Sequence, residues 1–166
     1  MVDWKDGVTA SRKAAARSQT TIFLADRATT PDVVLIRLNP VHSAYFAADI
    51  AIARHVRADG FVLSKVASVG DIKNVQKQLE NSGKQWNVWL LPLIESAAAL
   101  LSASAIVNCS PCIAALAFGA EDFCADTGIT RGDEEIELLY ARSTLIAAGG
   151  GSKTSGHRLS LPNVCR

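Results

Sequence analysis

Arg37, Glu95 and Asp122 each stand at or just past the carboxyl end of a short apolar run, at residues 33–36, 90–94 and 114–118. In α/β folds that edge of the sheet is where active sites are built, so the three would converge on one face. Glu95 and Asp122 lie one strand-and-helix unit apart, and two carboxylates from neighbouring strand ends could share a hard cation. Mg²⁺ suits such a pair because it keeps waters or substrate oxygens in its remaining positions. The same residues would also be favoured near helix N-termini by the dipole, and spacing alone leaves both readings open. Arg37 lies within Val-Leu-Ile-Arg-Leu-Asn, where a buried guanidinium must be paired. Its partner is either a bound carboxylate or a structural one, Asp6 or Glu95. Lys65 holds the equivalent place on the next run, as a Schiff-base lysine or, more simply, a surface-directed or ion-paired one.

Other motifs carry less. Cys109-Ser110-Pro111-Cys112 has the spacing of a redox or zinc pair, yet no second pair follows, and it reads as incidental. His42, His55 and His157 belong to no triad-like arrangement. The stretch from Gly149 to Gly156 lacks the order of a phosphate loop. Seventeen Lys and Arg against sixteen Asp and Glu leave a formal charge of +1, which provides no field for nucleic acid or an anionic membrane surface. No apolar run approaches the roughly 18 to 20 residues of a membrane helix, and the first residues lack a signal pattern. A cytoplasmic location with reduced thiols is expected.

The elements that must position these residues alternate. Near-continuous apolar runs at 33–38, 61–66, 88–94 and 113–118 read as buried strands. Helical patterns fill the gaps at 43–56, at 69–80 with Asp71, Lys73, Lys77 and Glu80 outward, and at 96–101. A last helix, 133–148, opens with acidic residues and repeats Ile136, Leu139, Tyr140 and Leu145. Residues 1–6 fit the end of a strand and 9–19 its helix, with Thr9 capping the first turn. Parallel pairing through right-handed crossovers follows, giving an α/β class. Residues 1–148 form the domain, and 149–166, rich in Gly and Ser without a period, a flexible tail.

The wording of the segments goes further. Ala-Phe-Gly-Ala-Glu-Asp-Phe-Cys-Ala-Asp-Thr-Gly at 117–128, with Glu-Leu-Leu-Tyr-Ala-Arg-Ser at 137–143, resembles the beta subunit of citrate lyase and the HpcH/HpaI aldolase family. Val-Leu-Ile-Arg-Leu-Asn at 34–39 resembles its Arg-bearing strand, Leu-Ser-Lys-Val at 63–66 its Pro-Lys strand, and Pro-Leu-Ile-Glu-Ser at 92–96 its Ile-Glu strand. Asp-Trp-Lys-Asp-Gly-Val at 3–8, followed by Lys13 and Ala16-Arg17, is similar to its Asp-Leu-Glu-Asp-Gly-Val segment.

The resemblance implies a (β/α)₈ barrel, here a partial TIM barrel of about five parallel strands. It also implies Mg²⁺-dependent retro-aldol cleavage, through an enolate, of a 3-hydroxyacyl thioester such as citryl-, malyl- or citramalyl-CoA. By matching position Glu95 and Asp122 would be the metal ligands, Arg37 the catalytic group holding the acid fragment, and Asp6 a further substrate-side residue. The implied partners are an acyl-CoA or acyl-carrier thioester and further copies or other lyase subunits. Lys5 departs from the pattern by replacing an acidic residue near the metal. A barrel takes about 250 residues, so 166 are expected not to close one, and the chain reads as truncated at both ends. Alternatives are a catalytically silent remnant that binds Mg²⁺ or a subunit, and a 2-keto-acid aldolase of the same family.

Overall fold

The computed structural model describes residues 1–25, 33–80 and 88–150. Five strands, β1 (Val2–Asp3), β2 (Leu35–Leu38), β3 (Gly60–Leu63), β4 (Trp89–Ile94) and β5 (Ala117–Phe118), form one parallel sheet in chain order. The register runs Asp3↔Arg37, Leu38↔Leu63, Leu63↔Pro92 and Ile94↔Phe118, which aligns the carboxyl ends along one edge. All four residues of β3 are buried, as a strand covered on both faces requires. Pro92, with no N–H to donate, ends the ladder to β3, and the next two residues of β4 pair with β5 instead. Gly60 is needed for contact: a Cβ there would meet the Trp89 carbonyl oxygen at 2.5 Å.

Seven helices flank the sheet among the described residues: α1 (Lys13–Ala25), α2 (Phe46–Ala53), α3 (Val69–Glu80), α4 (Ala97–Leu101), α5 (Ala103–Asn108), α6 (Ala120–Thr127) and α7 (Leu139–Gly150). Helix α3 matches the sequence pattern, burying Ile72, Val75 and Leu79 at helical spacing. Asp71, expected outward, is buried. Its Oδ2 accepts the N–H groups of Ala67 and Ser68 at 2.9 Å each, so it closes the helix N-terminus. Ser96 caps α4 as its residue type predicts, accepting from the Ala99 N–H at 3.2 Å. Thr9 does not cap: it precedes a 3-10 turn at Ala10–Arg12 and makes no side-chain cap bond.

The buried face of α1 is Lys13, Arg17, Thr20 and Leu24, correctly spaced but largely polar. Polar groups are tolerated inside only when hydrogen-bonded, and these are. The Lys13 ammonium donates to the carbonyls of Trp4 and Lys5 at 2.8 Å each and to Asn39 Oδ1 at 2.9 Å. Arg17 Nε donates to Asp49 Oδ1 at 2.7 Å, and Asp49 Oδ2 accepts the Asn39 N–H at 2.7 Å. Trp4, fully buried, donates its indole N–H to Thr20 Oγ1 at 3.0 Å. This network pins the chain leaving β1 to α1, α2 and the end of β2.

Three further differences from the sequence pattern have local causes. The run 113–118 yields only a bridge from Ile113 to Leu90 and the two residues of β5. The last helix starts at Leu139, after a 3-10 turn at Ile136–Leu138, because Glu135 takes a left-handed φ of 50°. Glu135 is held there by Arg131 and Arg142. Ile136, Leu139 and Tyr140 are consequently exposed, and Leu138, Ala141 and Leu145 face the core. Helix α7 runs through Gly149 and Gly150 rather than stopping at Ala148. Residues 151–166, the rest of the expected tail, lie outside the described residues.

Candidate functional site

The residues singled out by their position along the chain meet at the carboxyl edge of the sheet. Lys5 and Asp6 follow β1, Arg37 is the third residue of β2, Lys65 comes two residues after β3, and Glu95 follows β4 directly. Asp122 is not at the strand end itself. It sits in the first turn of α6, where the turn at Gly119, tied to the sheet by its N–H to the Ile94 carbonyl at 3.0 Å, returns it to the same edge.

Glu95 is buried and fixed at both oxygens. Its Oε2 accepts the Lys65 N–H at 2.6 Å and its Oε1 lies 3.4 Å from Lys5 Nζ. Lys65 adopts a left-handed φ of 50° to present that N–H, a conformation that non-glycine residues take only at a local cost. The Lys65 ammonium reaches Asp122 Oδ1 at 3.1 Å, so this lysine is ion-paired at the surface. Lys5 Nζ lies 3.2 Å from Asp122 Oδ2 and 3.3 Å from Asp6 Oδ2. One buried ammonium therefore stands between Glu95 and Asp122. Gly119 borders the same spot: a Cβ there would come within 2.6 Å of Glu95 Cγ and 3.0 Å of Oε1.

Arg37 is oriented by Asp3, the residue beside it in the strand register. Its Nε donates to Asp3 Oδ1 at 2.9 Å and its Nη2 to Oδ2 at 2.5 Å, a two-point fork. Nη1 lies 3.3 Å from the exposed carboxylate of Asp6. Of the two structural partners expected for Arg37, Asp6 makes contact and Glu95 contributes only at longer range. Asp3, the principal partner, was not legible without the register, although a charge at the same height on a neighbouring strand is the signal to look for.

The electrostatics follow from this packing. Burial raises the Glu95 carboxyl, as does the hydrogen-bonded Asp122, against the Lys65 N–H and the Lys5 charge. Asp122 is lowered to about 2, first by its hydrogen bond with Glu95, then by Lys65 and Lys5, with burial opposing. The two carboxyls titrate as a pair in which Glu95 holds the proton longer. Lys5 is raised: burial disfavours its charge, and Glu95, Asp122 and Asp6 together outweigh burial. Asp3 is lowered to about 2, its burial overcome by Arg37 and by the N–H groups of Lys5 and Gly7.

Chemically, the arrangement is a pair of carboxylates that already encloses a cation, flanked by a guanidinium fork. The donor set fits a small hard cation, with the Lys5 ammonium as the stand-in and the missing Cβ of Gly119 leaving the space. Among the described residues no three His, Cys, Asp or Glu side chains are placed to hold a metal ion together, so the pair would supply two anionic ligands and leave the remaining positions to other oxygens. Cys109, Cys112 and Cys124 are free thiols. No helix among the described residues is long and apolar enough to cross a membrane.

A citrate lyase subunit beta-like protein from Deinococcus radiodurans is 32% identical over 152 residues, covering 89% of this chain and 52% of its own length. The mitochondrial citramalyl-CoA lyase of Homo sapiens is 28% identical over 160 residues, covering 88% of this chain and 47% of its own length. The chain thus spans about half the length of these relatives. In fold it is similar to the citrate lyase beta subunit of M. tuberculosis solved with oxaloacetate and magnesium, at a TM-score of 0.72 and 22% identity, over 89% of this chain and 62% of that one. The model for HpcH/HpaI aldolase/citrate lyase matches residues 1–156, and with the parallel sheet and its charged edge already in place, the chain belongs to that family.

Proposed function

We propose that this chain carries the charged half of a carbon-carbon lyase site acting on a 3-hydroxyacyl thioester, of the citryl-, malyl- or citramalyl-CoA type. The observation that carries the reading is the meeting of Arg37, Glu95 and Asp122 at one sheet edge, around an enclosed cation position. The names of the relatives, a citramalyl-CoA lyase and citrate lyase subunits, support it. Cleavage removes the proton of the 3-hydroxyl, breaks the adjoining carbon-carbon bond and leaves its electron pair as a thioester enolate. The enolate then takes up a proton, and the other product is an oxo acid. Glu95 and Asp122 would hold Mg²⁺, which when bound supplies fixed positive charge to the reacting oxygens. Arg37, aligned by Asp3, presents Nη1 to the carboxylate of the acid fragment. Asp6, the exposed partner of Nη1, is the group that fragment exchanges with, which makes Asp6 part of the substrate edge.

The described residues through the end of α7 belong to the working domain, in the cytoplasm, with further copies or other lyase subunits as its partners. A specific observation favours a second reading, a silent Mg²⁺- or subunit-binding chain: Lys5 already neutralises the carboxylate pair. Calorimetric titration of Mg²⁺ followed by oxaloacetate tests the site, and turnover of citramalyl-CoA separates the readings. Glu95→Gln and Asp122→Asn should each lower Mg²⁺ affinity while leaving the fold intact. Parental Mg²⁺ affinity in both variants would reduce the carboxylates to structural groups and remove the chemical basis of the lyase reading.

A further inference from the structure

We infer that Lys5 is a built-in competitor for the divalent cation, so that a metal enters between Glu95 and Asp122 only by displacing the Lys5 ammonium. The inference rests on the reading of those carboxylates as the metal pair and adds what this chain does to that site. Lys5 Nζ lies 3.4 Å from Glu95 Oε1 and 3.2 Å from Asp122 Oδ2, and the residue is buried. Its side chain is aimed there by its backbone, whose N–H donates to Asp3 Oδ1 at 2.8 Å and whose carbonyl accepts from Lys13 at 2.8 Å. Oxygens around Mg²⁺ sit at about 2.0–2.1 Å and converge on one point. An ammonium already at hydrogen-bond distance from both carboxylates occupies that point, and two cations cannot share it.

The groups around Lys5 also supply a route out. Asp6 Oδ2, 3.3 Å from Nζ on the exposed side of the site, is 61% solvent-accessible at its side chain. A displaced Lys5 can swing toward Asp6 without losing a counter-charge, and Lys65 remains on Asp122 Oδ1. The metal-free state is thereby stabilised by an intramolecular cation, and metal affinity is set by the difference between the two occupants rather than by the carboxylates alone.

Mg²⁺ binding is measured by calorimetry on the full chain and on Lys5→Met, Lys5→Glu, Glu95→Gln and the Lys5→Met/Glu95→Gln double variant. Each is also melted in EDTA and in excess MgCl₂. Lys5→Met should bind Mg²⁺ at least about tenfold tighter than the parent, Lys5→Glu tighter still, and the double variant should lose that gain. In EDTA, Lys5→Met should melt below the parent because two neighbouring carboxylates have lost their cation, and MgCl₂ should restore more stability to it than to the parent. Equal Mg²⁺ affinity in the parent and Lys5→Met, with Glu95→Gln abolishing binding in both, overturns the competition and leaves the metal pair standing. No Mg²⁺ binding in the parent, Lys5→Met or Lys5→Glu overturns both. Should Lys5→Met fail to fold, Lys5→Gln, which keeps hydrogen-bond donors but no charge, is read in its place by the same criteria.

Discussion

Asp49 is the buried group on which the approach to the site depends, and its removal should be among the costliest single substitutions. It is fully buried, and it accepts Arg17 Nε at 2.7 Å, the Asn39 N–H at 2.7 Å and Asn39 Nδ2 at 2.8 Å. Asp49→Ala strands the Arg17 guanidinium, itself only 9% exposed, without the counter-charge it has among the described residues. Breaking one side of a buried ion pair costs about 3–5 kcal/mol. Leaving the Asn39 N–H unsatisfied belongs to the same loss and does not add in full. With about 4 kcal/mol lost, and about 2–4 °C of Tm per kcal/mol for a domain of this size, the melting temperature should fall by roughly 8–16 °C in a calorimetric scan. Arg17→Met combined with Asp49→Leu removes both charges and fills the space, so the double variant should melt above Asp49→Ala by several degrees. A drop of under about 2 °C for Asp49→Ala, or a double variant no better than the sum of its parts, would refute the view that this ion pair organises α1, α2 and the end of β2.

Gly119→Ala places a Cβ 2.6 Å from Glu95 Cγ. It should cost about 1–3 kcal/mol of stability and weaken Mg²⁺ binding, since Glu95 is the group that must move; unchanged affinity in calorimetry would show that Glu95 relocates freely. Arg37→Lys keeps the charge but loses the two-point grip on Asp3, so oxaloacetate binding should weaken about tenfold or more while Mg²⁺ affinity stays within about twofold. Asp3 is held at about 2 against an ordinary 3.8, so its ionised form stabilises the fold above roughly pH 4, and that contribution is lost as pH falls through 2. Urea titrations should therefore find Asp3→Asn less stable than the parent at pH 6, with the gap closing between about pH 4 and 2. Leu139, Tyr140 and Ile146 of α7 and Ile136 of the 3-10 turn before it are exposed, so the chain should associate with rising concentration in light scattering, and Leu139→Glu should reduce that association.

The sequence by itself determined the sheet and the order of its strands. Val-Leu-Ile-Arg-Leu and Trp-Leu-Leu-Pro-Leu-Ile are too continuously apolar for anything but strands covered on both faces, and helices between them force parallel crossovers. That pattern is local, and it was enough to place Arg37, Lys65 and Glu95 on one edge. It misread what lies inside the helices. Asp71, read as outward, is buried because the N–H groups of Ala67 and Ser68 and the His42 ring satisfy it, and Lys13 and Arg17, on which the periodicity said nothing, are buried against Trp4 and Asn39 and against Asp49. Helix α7 was drawn too early and on the wrong face, since the left-handed turn at Glu135 depends on Arg131 and Arg142 closing around it. The occupant of the charged site was decided last. Lys5 is visible in the sequence as a reversed charge, but only folding brings its ammonium within 3.4 Å of Glu95 and 3.2 Å of Asp122. Charge pairing depends on distance, and that distance is set by sheet register and the turn at Gly119, which no local pattern encodes.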